Sequence, residues 1–201
     1  MARMSPEERR EAIVDAALAV MLRQGIAATT VRDVAAEMGT TSGLIHHYFA
    51  SMDDLLAAAF DRAAGRDLQT TVDTVGHGTG PVERLALFVA SYTRAEEDWA
   101  MQLWLDAWAE AARRPALQQT SRRLNEAWQA LLAGLVRDGV DSGAMTCDDP
   151  DATAWRLLSL LDGLALQTVA HRSSIDRDDV TRWSLEQAER DVGLPPGTLA
   201  S

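Results

Sequence analysis

A chain of 201 residues, 47% of them hydrophobic, is long enough for one large domain or two small ones with a sizeable core. Its net charge of −11 is unfavourable for a simple nucleic-acid binder, because non-specific affinity comes from Lys and Arg on phosphates. The single cysteine, Cys147, excludes an internal disulfide and a multi-cysteine zinc site, and no apolar run approaches the roughly 18 residues of a membrane span.

The charge is unevenly spread. Residues 1–50 hold five Arg against six Asp and Glu, whereas residues 51–201 hold fourteen Arg against twenty-four acids. The acidity therefore belongs to the back of the chain, and the first fifty residues are nearly neutral. There is no Lys at all. The start, MARMSPEERREA, is charged and passes directly into an amphipathic pattern, so no signal peptide is expected and the chain reads as soluble and cytoplasmic.

The first helix should begin at Ser5, because Ser5-Pro6-Glu7-Glu8 offers an N-cap, a proline at the first helical position and a glutamate at the third. Ile13, Ala17, Val20 and Met21 recur at helical spacing, and Gly25 supplies the stop. A second helix starts at Thr30, with Asp33 three residues on; Val31, Val34, Ala35 and Met38 form its apolar face and Gly39 ends it. Thr41 then caps a third helix, Ser42 to Tyr48. From Thr29 to Ser51 this is the spacing of a helix-turn-helix, whose second helix is built to lie in a DNA major groove. An ordinary αα-hairpin in a helical core has the same spacing.

Ser51-Met52-Asp53-Asp54 opens a fourth helix of roughly 24 residues and about 36 Å. Its stripe is Leu55, Leu56, Ala59, Phe60, Ala63, Leu68, Val72 and Val75. No flexible linker precedes it, so a movement in the body would reach the head. The fifth helix starts at Pro81, with Glu83 capping, and carries Leu85, Phe88, Val89 and Tyr92. The sixth, about Trp99 to Arg113, lines Met101, Trp104, Leu105, Trp108 and Ala112 on one face. Trp99 and Leu103 widen that surface enough to predict burial on most sides. The seventh follows Pro115 through Leu117, Ser121, Leu124, Trp128, Leu131 and Leu135, and ends near Gly139 or Gly143.

The eighth helix, from Asp149-Pro150 to about His171, has two apolar stripes. One runs through Trp155, Leu158, Asp162, Ala165 and Val169, the other through Leu157, Leu160, Leu161, Leu164 and Thr168. A ninth, Asp176 to about Asp191, adds Val180, Trp183 and Leu185. A helix apolar on two faces needs a second partner surface. Either these two helices meet their copies across a two-fold axis, through Trp155, Leu158, Leu161, Ala165, Val180 and Trp183, or the eighth is the centre of a monomeric bundle. The periodicity thus predicts an all-α chain of about nine helices, with a three-helix head in residues 1–50 and a larger helical body in residues 51–201.

The residues Gly25, Thr29-Thr30-Val31-Arg32-Asp33-Val34-Ala35, Gly39, Gly43-Leu44-Ile45-His46-His47-Tyr48-Phe49 and Ser51 stand at the spacing of the TetR family of bacterial transcriptional repressors, which the whole chain resembles. Leu103 to Arg113, then Trp128, then Asp162-Gly163-Leu164, resemble the BetI-like branch of that family. The resemblance implies a helix-turn-helix head and a body that holds a ligand pocket and the dimer interface. It makes Ser42, Gly43 and His46 candidates for base edges, with Arg32 reaching for guanine. Thr30, Thr41, the Leu44 backbone, His47 and Tyr48 fall where the family touches phosphate and sugar, contacts that position without specifying. Arg32 has the alternative of a surface pair with Asp33 or Glu37, and Phe49 is expected in the core. The family usually has a lysine after the serine that opens the fourth helix. Here that residue is Met52, which predicts weaker or more salt-sensitive binding; Arg3, Arg9 and Arg10 are the candidates to compensate.

For a small-molecule effector the candidates are Phe60, Phe88, Tyr92, Met101, Trp104, Trp108 and Trp128, with Asp162 beside them and Asp106 and Glu110 on the same stretch of helix. Aromatic faces next to carboxylates suit an amine or a quaternary ammonium ion. The BetI-like resemblance, to regulators that sense choline, points the same way. The same tryptophans at helical spacing also suit a plain core, and Asp106 and Glu110 a solvated face. Catalysis is not expected: His46 and His47 are neighbours, His77 lies in a glycine loop and His171 ends a helix, and there is no phosphate loop, nucleophile elbow or cofactor or metal motif. The expected function is a ligand-responsive repressor binding a palindromic double-stranded operator as a homodimer. The alternative is a helical homodimeric interaction module, or a family member without ligand control.

Overall fold

The computed structural model describes residues 4–93, 98–171 and 175–200, so Arg3 lies outside the described residues. Among them are nine α-helices and no strand. They are α1 (Pro6–Gln24), α2 (Val31–Glu37), α3 (Ser42–Tyr48), α4 (Met52–Gly76), α5 (Pro81–Thr93), α6 (Asp98–Ala111), α7 (Pro115–Asp141), α8 (Pro150–Val169) and α9 (Arg177–Asp191). No helix among the described residues is long and apolar enough to cross a membrane.

Local chemistry accounts for most of the helix ends. Ser5 and Glu8 form the reciprocal capping box, with Pro6 inside the start, and Thr30 with Asp33 forms a second one. Asp149 and Asp176 cap α8 and α9 by accepting from backbone N–H groups three residues on. Thr41 caps α3 by its extended backbone and makes no side-chain cap bond. The α1–α2 and α2–α3 breaks turn on Gly25 (φ +84°) and Gly39 (φ +61°), where the left-handed backbone favours glycine.

The chain divides into two compact units. The first comprises Met1–Arg66 and Leu103–Leu124. Its core holds Ile13, Val20, Met21, Ile26, Leu55, Leu56 and Phe60. Here α1 packs on α2 and α2 on α3. Arg62 on α4 reaches both Glu11 and Asp15 of α1, the latter at 2.6 Å. At the other end, the Asp53 carboxylate accepts from the Ala116 N–H at 3.0 Å, and Arg123 pairs with Asp61 at 2.5 Å. Asp106 stands so close to Gly25 that a Cβ there would lie 3.1 Å from its Oδ2.

The second unit comprises Asp67–Gln102 and Asn125–Ser201, with α5, α8 and α9 packed on one another. Arg177, at the start of α9, donates to both Asp98 oxygens at 2.8 and 2.9 Å and to the Thr93 carbonyl at 3.2 Å. The C-terminal tail folds back on α9. The buried Glu189 carboxylate accepts from the backbone N–H groups of Gly197 (2.9 Å) and Leu199 (2.8 Å), and Leu199 is buried.

Some of the expected faces rotate. On α4, Thr71 is buried and Val72 exposed; on α7, Leu132 is buried and Leu131 half-buried. The expectation that α6 is buried on most sides is corrected. Met101, Leu103, Trp104 and Ala107 are buried, Leu105 and Trp108 are half-buried, and Trp99 and Ala112 are exposed.

Candidate nucleic-acid interface and effector site

Helices α2 and α3 present one polar surface. Thr30, Arg32, Thr41, Gly43, His46 and His47 are exposed, and Ser42, Leu44 and Tyr48 are half-buried. Beneath them Val34, Ala35, Ile45 and Phe49 are buried and hold the two helices together. Phe49 is therefore core, and the Arg10 guanidinium lies over its ring at 4.8 Å. The His47 and Tyr48 rings meet edge to face at 5.1 Å, which orients the phenol at the end of α3.

Two residues on this surface, Arg32 and Gly43, are not tied to the rest of the chain among the described residues. Arg23 takes Glu37 at 2.9 Å, while Asp33 accepts from Thr30 and from Gln24. Both carboxylates open to Arg32 are thus engaged, and Arg32 has no ion pair among the described residues. Gly43 has no left-handed backbone, and a Cβ there would meet only the Thr41 hydroxyl, at an ordinary 3.8 Å. Nothing in the protein asks for glycine at that position. Met52 is half-buried at the first residue of α4, where Ser51 bonds reciprocally with Asp54.

The aromatic residues fall into two clusters. In the first unit Phe60 and Trp104 pack edge to face at 4.9 Å, and Trp108 lies 5.6 Å from Trp104. Phe60 and Trp104 are buried there. Glu110 is held by Arg114 and then Arg113, whose hydrogen bonds lower its pKa in that order. In the second unit Phe88, Tyr92 and Trp128 form a closed triangle with centroid separations of 5.7, 5.9 and 5.3 Å. Met101 is buried on α6.

The second cluster carries the unusual electrostatics. Burial pushes the Asp162 carboxyl up to about 7. Burial, then the charges of Asp162 and Asp67, push the Tyr92 phenol well above its usual value. Sequence reasoning could not foresee a further feature: Trp128 is buried, yet its Nε1 has no hydrogen-bond partner among the described residues. No group of His, Cys, Asp and Glu among the described residues could hold a metal ion, and Cys147 donates its thiol proton to Thr153 at 3.2 Å.

Of the candidates for contact with a second copy, Leu158, Leu161, Ala165 and Val180 are buried within the chain's own core. Trp155 is 40% exposed and Trp183 half-buried, with Arg182 over its ring.

Comparison with known proteins matches residues 13–59 to the bacterial regulatory proteins of the tetR family, and residues 81–191 to the C-terminal domain of BetI-type transcriptional repressors. The transcriptional regulator BetI of Rhizobium meliloti (strain 1021) is 30% identical over 165 residues, which span 79% of this chain and 77% of BetI. A transcriptional regulator from Pseudomonas aeruginosa PAO1 is 26% identical with a TM-score of 0.80, covering 94% of this chain and 92% of its own. A regulator from Saccharomonospora viridis, solved in complex with choline, is 25% identical with a TM-score of 0.80 over 92% and 98% of the two chains.

Proposed function

This chain belongs to the TetR family of bacterial transcriptional regulators, with a BetI-type C-terminal domain, and from that premise we propose that it is a ligand-responsive repressor. The family is one of regulators, not enzymes. In the proposed arrangement residues 1–50 bind a palindromic operator in the cytoplasm, and residues 51–201 hold the effector and the homodimer contact. The observation that carries the DNA reading is Gly43: it is exposed on α3, helical in backbone, and unneeded by its own fold. A side chain missing where the protein has room for one suits a close approach to a groove floor. Ser42 and His46 flank it for base edges, and Arg32 is free to reach guanine from α2. Thr30, Thr41, Leu44, His47 and Tyr48 are assigned to phosphate and sugar, the contacts that position without specifying.

For the effector we favour an organic cation of the quaternary ammonium class. Phe88, Tyr92 and Trp128 supply aromatic faces, and Asp162 supplies a carboxylate that burial makes costly to ionise without a cation. The choline complex of the Saccharomonospora viridis regulator supports the same class. The Phe60–Trp104–Trp108 cluster is assigned to the core of the first unit. Binding would favour one position of α4 over another and so alter the spacing of two recognition helices, which tight binding requires about 34 Å apart. A coupling of about 1–3 kcal/mol is enough to release DNA. Footprinting on the DNA upstream of the chain's own gene, with and without choline, tests the proposal. A protected palindrome that choline clears supports it, and the absence of any protected site removes it.

A further inference from the structure

We propose that the indole N–H of Trp128 is the donor that sets effector specificity, so that the effector is an organic cation carrying an oxygen acceptor close to its charged nitrogen. This rests on the cationic-effector reading above and narrows it. Trp128 is only 5% exposed, its ring fixed by Phe88 and Tyr92 at 5.9 and 5.3 Å, yet its Nε1 has no acceptor among the described residues. Buried donors are nearly always satisfied, and one left unmet bears its full desolvation cost.

Among the described residues two other buried polar atoms share that condition, but each has a relief that Trp128 lacks. Asp53 Oδ1 belongs to a carboxylate whose other oxygen accepts from Ala116, and a Ser184 hydroxyl can rotate. The indole N–H is fixed by a bulky ring held between two others. It cannot turn to an acceptor, so the acceptor must come to it. The groups around it define what else that molecule carries. Asp162 on α8 and Asp67 on α4 both act electrostatically on Tyr92 of α5, whose ring touches Trp128 of α7. One cluster therefore presents negative charge, aromatic faces and a single unmet donor. A bare alkylammonium ion uses the first two and leaves the N–H unsatisfied. A cation with a hydroxyl or carboxylate oxygen uses all three.

Isothermal titration of the full chain with choline and with propyltrimethylammonium, in which a methyl replaces the hydroxyl, tests this. The wild-type chain should bind choline about tenfold more tightly, the size expected for one buried hydrogen bond. Without a donor the preference should disappear, since the methyl is the more apolar group. Trp128→Phe should abolish the roughly tenfold preference, lowering choline affinity about tenfold more than that of propyltrimethylammonium, whatever the smaller ring costs both ligands. Replacing Trp128 by benzothienylalanine, which keeps the bicyclic ring and loses the N–H, gives the same comparison if the Phe variant misfolds. Equal wild-type affinities, a choline preference that survives the loss of the N–H, or an equal drop for both ligands would each overturn the donor role while leaving the cationic site standing. Binding of neither ligand by the wild-type chain would overturn the cationic site and this inference together.

Discussion

A Cβ built on Gly43 would meet a single atom, the Thr41 hydroxyl oxygen, at 3.8 Å. The consequence separates function from stability at one residue. Alanine is a better helix former than glycine by up to about 1 kcal/mol. Gly43→Ala should therefore leave the thermal midpoint unchanged or raise it, while costing at least tenfold in operator affinity by holding α3 off the groove floor. Thermal unfolding and a DNA-binding isotherm on the same preparation check it. Unchanged DNA affinity in the alanine variant would remove Gly43 from the interface.

Arg23 takes Glu37 at 2.9 Å, and Arg32 has no ion pair among the described residues. Arg32→Ala should cost about 1–3 kcal/mol of specific binding, the worth of a bidentate guanine contact, with little loss on non-specific DNA. Arg32→Lys should not restore it, because a point charge lacks the planar fork. Competition isotherms on specific and random duplexes measure the ratio. An equal loss on both would reduce Arg32 to a phosphate contact.

Met52 stands where the family usually carries a phosphate-directed lysine. Met52→Lys should tighten operator binding and steepen its salt dependence by roughly one counterion, so the missing lysine weakens binding and, contrary to the expectation from sequence, makes it less sensitive to salt. Affinities measured from low to high salt decide the point, and an unchanged slope would mean that the start of α4 does not face a phosphate.

Asp162 makes stability depend on pH with a definite sign. Its folded pKa of about 7 lies above the ordinary carboxyl value of 3.8, so the native state holds the proton more tightly than the unfolded chain. Stability should fall as pH rises from about 4 to about 7, and the penalty then persists at higher pH. Asp162→Asn should be more stable than the wild-type chain by up to about 4 kcal/mol at pH 8, with the gain shrinking as pH falls toward 4. Denaturant unfolding at the two pH values checks it. The same variant should lose choline, since the neutral amide offers no charge to the cation.

Trp155 and Leu158 should behave differently although sequence placed both at the contact between copies. Trp155 is exposed, and Trp155→Arg should shift the proposed dimer to monomer in sedimentation without unfolding the chain. Leu158 is buried in its own chain, and Leu158→Ala should cost about 2–5 kcal/mol of fold stability. A Trp155→Arg chain that stays dimeric would move the interface elsewhere.

These contrasts mark how far the sequence was legible. Ser5, Thr30, Asp149 and Asp176 act over three residues of backbone, and Gly25 and Gly39 answer to their own φ, so helix ends and the helix-turn-helix could be read directly. Which residue of an apolar pair faces inward was harder. Thr71 and Leu132 are buried, while Val72 is exposed and Leu131 half-buried. Adjacent positions on a helix differ by about 100°, and both choices continue a plausible stripe. Only the packing partner decides between them. The sorting of the aromatics into two clusters, the unmet Trp128 donor and the Glu189 grip on the tail are long-range outcomes that no local pattern encodes.

The exposed face of α3 is proposed to bind duplex DNA despite a net charge of −11 on the chain. The most direct test is the affinity of the full chain for a duplex from upstream of its own gene, measured by fluorescence anisotropy across a range of salt concentrations. Saturable binding is expected, with an affinity that falls linearly on a log–log plot against salt and that Gly43→Ala abolishes or sharply weakens. The absence of any salt-dependent binding to that duplex would contradict it.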